Sequence, residues 1–178
     1  GIHGGSSEPN EEDVVNLFVL GWNLPQETRQ AAVAALHGMP IVYPQLDPGT
    51  FWQCASPTGS VFAAAMHPSE SALAARTYIA QQNGCAVFYD GLPVESSAAF
   101  AAYDARELLA HWDDQLGGRL EGQFGLVRVS CDPPRLEVVN DFTGTQPLFF
   151  QRLGAGWLIS NSVYLIEHVA GVGELDPL

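Results

Sequence analysis

Leu120-Glu121-Gly122-Gln123-Phe124 and, after a strand-like run, Asn140-Asp141-Phe142-Thr143-Gly144-Thr145-Gln146-Pro147-Leu148-Phe149-Phe150 are the stretch on which the fold turns. Between them, residues 123–129 and 136–140 are rich in branched side chains, and Asp132-Pro133-Pro134 separates them, which predicts two strands joined by a turn. Downstream, 148–152 and 157–160 predict two further strands around Gly154-Ala155-Gly156, and 162–169 a closing helix. Short turns between successive strands point to an antiparallel meander.

Upstream the pattern changes. Ala101, Ala105, Leu108, Leu109, Trp112 and Leu116 recur at helical spacing, so 97–116 is expected to be a helix with one apolar stripe, ended by Gly117-Gly118. The compact run 85–89 reads as a strand stopping at Asp90-Gly91, and 70–82 as a helix capped by Asn83-Gly84. Residues 51–54 and 60–66 flank Ser56-Pro57-Thr58-Gly59 as a hairpin. Prolines 40, 44 and 48 exclude regular helix from 39–49. Residues 25–37 form a helix opened by Pro25 and closed by Gly38. The continuous apolar run 14–21 is the first core strand, buried on both faces. Mixed strands and helices followed by a meander define an α+β class; pattern alone leaves several two-layer and four-layer arrangements open.

The chain is 178 residues long, which suits one domain at about 100–200 residues per domain. Residues 1–7 read as a cloning scar or unstructured tail and 8–178 as the domain. Twenty acidic and seven basic side chains, all of the latter arginine, give a net charge of −13. Such a surface repels phosphate, which argues against nucleic-acid partners and against an anionic membrane surface. No apolar run reaches the roughly 20 residues that span a bilayer. Cys54, Cys85 and Cys131 are scattered, without a C-x-x-C pair, as in reduced cytoplasmic proteins, and no metal site is expected of them.

The two quoted segments resemble the L-x-G-x-F-A and R-D-x-x-G-x-x-P-L-Y-Y segments of the amino-terminal, glutamine-amidotransferase domain of the asparagine synthetase family. Glu121, Gly122, Gln123 and Phe124 match the first; Asp141, Gly144, Pro147 and Leu148 match the second. Ile159-Ser160-Asn161-Ser162 followed by Tyr164-Leu165-Ile166 looks like that family's closing F-A-S-E-x-K-A-L segment. The resemblance runs from about residue 14 to 170 and implies the four-layer αββα sandwich of amino-terminal-nucleophile hydrolases.

It also implies a chemistry that this chain lacks. In the family an amino-terminal cysteine attacks glutamine, with its own α-amine as base. Here the first strand carries Asn16 near its start, and neither Cys, Ser nor Thr occurs from residue 8 to 27. The oxyanion-hole segment N-G-E is matched by Asp90-Gly91-Leu92. A carboxylate there replaces a neutral donor, and leucine removes the group that would hold the substrate ammonium. An ordinary strand-ending turn is the simpler reading of Asp90-Gly91. Ala63-Ala64-Ala65-Met66-His67-Pro68 stands where an arginine would clamp the substrate carboxylate, and the flanking Arg29 and Arg76 both fall in expected helices. Asn16, Asp90, Gly91 and Leu92 are therefore expected to form a vestigial pocket, with no catalytic residue.

Other chemistry finds little footing. The histidines are dispersed, Asp113 and Asp114 are adjacent on an expected helix and face different ways, and the chain has no lysine for a phosphate-binding loop. The S-G-G-x-D-S motif of the family's synthetase domain is absent, so ATP and magnesium are expected only of a separate domain. The resemblance thus implies an inactive scaffold that buttresses, or positions substrate for, an ATP-dependent amide-forming domain, in cis or in trans. A homodimer is a further option. Two rivals stand beside it: an amidohydrolase using Cys54, Cys85 or Cys131, and a module that binds a peptide or protein.

Overall fold

A computed structural model describes residues 16–69, 76–96, 102–141 and 143–171. The first strand, β1 (Leu17–Trp22), is followed by α1 (Gln26–Gly38), two single-turn 3-10 segments at Met39–Ile41 and Pro48–Thr50, and the hairpin β2 (Trp52–Ala55) and β3 (Val61–Met66). A second hairpin, β4 (Ile79–Gln82) and β5 (Cys85–Gly91), leads to β6 (Val94–Glu95), α2 (Ala105–His111), α3 (Leu116–Arg119) and β7 (Leu120–Glu121). Then come β8 (Phe124–Cys131), β9 (Pro134–Asn140), β10 (Phe149–Leu153), β11 (Gly156–Ser160) and α4 (Val163–Ala170).

Two antiparallel sheets carry the fold, ordered β10-β11-β1-β3-β2 and β4-β5-β8-β9; β6 and β7 pair as a small ribbon. The α+β class expected from the pattern is what these elements form. Because successive side chains on a strand point to opposite faces, each central strand feeds two cores. Leu17 and Val19 of β1 meet α1 and α4 through Ala32, Leu36, Leu165 and Ile166. Phe18 and Leu20 point the other way and join Val61, Ala63 and Ala65 against Ala86, Phe88, Val127 and Val129 of the second sheet. On the far face of that sheet, Val87, Tyr89 and Leu126 are covered by Ala105 and Leu108 of α2.

Burial on both faces explains why residues 17–20 and 61–66 are unbroken apolar runs rather than alternating ones. Alanines 63, 65 and 86 leave room between the sheets for larger rings. Phe88 packs in tilted geometry against both Phe18 and Trp52 with centroids 5.6 Å apart, within the range of favourable aromatic pairs.

Four expectations need correction. The helix expected over 70–82 gives way to β4 at its carboxy-terminal end, and 70–75 lie outside the described residues. Asn83 and Gly84 both have positive φ, 52° and 74°, the geometry of a tight hairpin turn rather than a helix cap. Of the long helix expected over 97–116, residues 97–101 lie outside the described residues and the described part is not continuous. α2 begins only at Ala105, where Asp104 accepts from the backbone of Arg106 and Glu107 while Glu107 reaches back to the Asp104 N–H, a capping box that fixes the start. Trp112 leaves with ψ 114°, and Gly117-Gly118 lie inside α3 rather than ending a helix.

The meander is also divided. β8 and β9 pair in one sheet, whereas β10 and β11 pair in the other, so the chain crosses between sheets after Asn140. Finally, Asp90-Gly91 is no turn: it ends β5 in register with Gly125 and Phe124 of β8. Residues 1–15, including the expected scar and the first residues of the predicted first strand, and residues 172–178 lie outside the description. Among the described residues, no helix is long and apolar enough to cross a membrane.

Candidate functional site

Three chain segments that sequence places far apart meet at the start of β1. The Asn16 N–H donates to Asp90 Oδ1 at 3.1 Å, and Asn16 Nδ2 donates to the Tyr89 carbonyl at 3.0 Å. Asn161, just beyond β11, donates from Nδ2 to Asp90 Oδ2 at 3.0 Å and to the Asn16 carbonyl at 2.6 Å, while its Oδ1 accepts from the Phe18 N–H. Ser160 Oγ donates to the Phe18 carbonyl at 2.6 Å and accepts from the Ser162 N–H. These bonds satisfy backbone that would otherwise be orphaned where β1 begins and β11 ends.

Asp90 is buried, with 6 % of its surface exposed. Burial pushes its carboxyl above the ordinary carboxylate range; hydrogen bonds from the Asn16 N–H, the Asn161 amide and the Gly91 N–H oppose that rise without cancelling it. The carboxylate therefore collects two N–H donors from distant segments, the Asn16 backbone and the Asn161 amide. Donors that converge on an internal carboxylate are not free to receive a developing negative charge. Asn16 Oδ1, by contrast, is buried without a partner.

The second half of the site is a backbone clamp. The Leu92 N–H donates to the Gln123 carbonyl at 2.7 Å, tying the Asp90-Gly91-Leu92 segment to Gly122-Gln123-Phe124. Gly91 has φ +83°, and a Cβ there would stand 2.1 Å from Gln123 O; Gly122 has φ +100°, and its Cβ would stand 2.3 Å from Leu92 O. Both positions need glycine for packing reasons, because no side chain fits between two touching backbones. Glu121 is exposed on β7, opposite Val94.

Asp141 anchors the crossover between the sheets. Its carboxylate accepts from the N–H groups of Phe124, Thr143, Thr145 and Gln146 and from the Thr143 hydroxyl. Burial works to raise its pKa, but the Thr143 hydroxyl and the Gln146, Thr145 and Phe124 N–H groups outweigh that and hold the carboxyl well below the usual range. Gly144 turns at φ +62°, Pro147 is exposed, and Leu148 packs against the inter-sheet core. The motif residues thus join two sheets rather than line a pocket.

Of the sequence-derived pocket, Asn16, Asp90 and Gly91 come together, whereas Leu92 is turned outward and 41 % exposed. Asn161, which the sequence shows only as part of the Ile159-Ser160-Asn161-Ser162 segment directly after a strand, completes the cluster. Arg76 does not sit on a helix as expected. It precedes β4 in irregular backbone, and its charge partly offsets the burial that raises the Tyr89 phenol. The segment 63–66, matched to the clamp position, is fully buried strand. Among the described residues, no three His, Cys, Asp or Glu side chains gather as a metal would require. No family model matches this chain, and no curated protein matches it.

Proposed function

We propose that this chain is an amidotransferase-like domain of the asparagine synthetase type, folded as the four-layer αββα sandwich of amino-terminal-nucleophile hydrolases and lacking glutaminase activity. The reading is supported by the stacked order of helices, two antiparallel sheets and a further helix, and by the clamp between Asp90-Gly91-Leu92 and Gly122-Gln123-Phe124. The observation that carries it is the buried Asp90 carboxylate, held by the Asn16 N–H and the Asn161 amide, at the position where the resemblance calls for a neutral donor to an oxyanion. Its role is that of a cytoplasmic scaffold that supports, or places substrate against, an ATP-dependent amide-forming domain; ATP and magnesium belong to that domain.

Incubating the purified chain with isotope-labelled glutamine tests the inactive site, and no labelled glutamate above a protein-free control is expected. Turnover that stops on thiol alkylation would establish the rival amidohydrolase. Co-purification with a separately expressed synthetase-type domain tests the scaffold role, and failure to associate at micromolar concentration counts against it.

One observation favours a binding module as the second reading. Trp22, Phe150 and Trp157 line an open cleft of about 770 Å³ with Leu136, Val138, Leu148 and Ile159. The three aromatics are 38 %, 57 % and 43 % exposed, an unusual amount of large apolar surface for one edge.

A further inference from the structure

The three cysteines are remote in sequence, but the sheet geometry separates them into a facing pair and an outlier. Cys54 lies on β2 opposite Ala63 of β3 and packs against the core between the two sheets. On β8, Val127 and Val129 point into the same core, so Cys131, two residues further on, shares their face by the strand period of two. Cys54 and Cys131 therefore approach from opposite sheets, near enough for Cys131 to act on the Cys54 thiol. Cys85 faces the other way, because its neighbours Ala86 and Phe88 occupy the inter-sheet core; its sulfur accepts from Arg128 Nε at 3.3 Å on the outer face.

All three thiols are free, and all are only partly buried, so a small reagent can reach them. Burial, then the proximity of Cys131, raises the pKa of the Cys54 thiol and makes it a slow nucleophile.

We propose that Cys54 and Cys131 are a redox-responsive pair that closes to an inter-sheet disulfide when a low-molecular-weight disulfide such as oxidised glutathione is in excess. The Cys131 thiolate attacks one sulfur of the oxidant, forming a mixed disulfide and releasing one glutathione thiolate. The Cys54 thiolate then attacks the Cys131 sulfur of that mixed disulfide and releases the second. One protein S–S bond forms and the oxidant's S–S bond is broken. The two thiol protons end on two molecules of glutathione, so two electrons pass from the protein to the oxidant. β2 is an edge strand of the five-stranded sheet, held through β3 alone, whereas β8 is interior to the other sheet. The bond therefore ties the less supported strand to the better supported one, and in a reducing compartment it stays open.

The test equilibrates the intact chain with defined ratios of reduced and oxidised glutathione, quenches with an alkylating reagent, and maps peptides by mass spectrometry. A Cys54–Cys131 cross-link with Cys85 alkylated is expected. The melting temperature of the oxidised form should rise by about 10 °C, the shift that constraining so long a loop gives in a domain of this size, and the rise should vanish on adding reductant. Cys85→Ser should keep both the cross-link and the rise, while Cys54→Ser and Cys131→Ser should each lose both. A mixed glutathione adduct that never resolves, or a cross-link that includes Cys85, overturns the proposal. So does a Cys54–Cys131 bond that lowers the melting temperature. Because the wild-type chain is itself the probe, a variant that fails to fold does not remove the test.

Discussion

Replacing Asp90 with alanine probes the candidate site most directly, and its effect can be worked from the bonds around it. The Asn16 N–H at 3.1 Å and the Asn161 amide at 3.0 Å both lose their acceptor. A buried donor left unsatisfied costs roughly 1–3 kcal/mol, while removing a desolvated carboxylate returns part of that, so a net loss of about 2–4 kcal/mol is expected near neutral pH. The sign of the pH dependence is a sharper test. The folded-state pKa of Asp90 lies above its ordinary value of 3.8, so the native state holds the proton more tightly than the unfolded chain does. The stability Asp90 contributes is then fully present below pH 3.8 and falls as pH rises through the raised value. Urea denaturation of wild type and Asp90→Ala across that range should show the gap between them widening on acidification. A gap that narrows, or one below about 0.5 kcal/mol throughout, would refute the picture of a buried carboxylate sharing these donors.

Asp141→Ala should cost about 2–4 kcal/mol through the loss of a many-fold acceptor, with the opposite pH trend. The folded pKa of Asp141 is depressed, so its contribution is present above the ordinary carboxylate value and is lost in strong acid, where the gap to wild type closes in the same denaturation series. Gly91→Ala should cost at least about 3 kcal/mol or prevent folding, because its Cβ meets Gln123 O and its φ is left-handed; a thermal midpoint within a few degrees of wild type would contradict the clamp. Asp104→Ala should cost about 1 kcal/mol through loss of the α2 capping box, read as a lower urea midpoint with unchanged slope.

Residues whose local chemistry leaves one choice were legible without coordinates. The double-sided run around β1, the prolines that exclude helix from 39–49, the hairpin turn before β3 and the closing helix after Ser162 each follow from periodicity, proline geometry or turn propensity. Where two local readings compete, the wrong one can prevail. Ile79–Gln82 looks helical alone and is a strand because β5 offers it hydrogen bonds and Asn83-Gly84 turns the chain back. Asp90-Gly91 looks like a turn alone and ends a strand because Gly125 and Phe124 of β8 lie beside it.

By itself, then, the sequence determined the α+β class, most strand positions and the want of a cysteine, serine or threonine from residue 8 to 27. Only the tertiary structure decided that four successive strands divide between two sheets, that Asn161 completes the Asn16–Asp90 cluster, and that Cys54 faces Cys131. The reason is physical. Propensity and periodicity act over a few neighbouring residues, whereas a buried carboxylate or a facing thiol is defined by partners brought together only when the sheets bury their shared core.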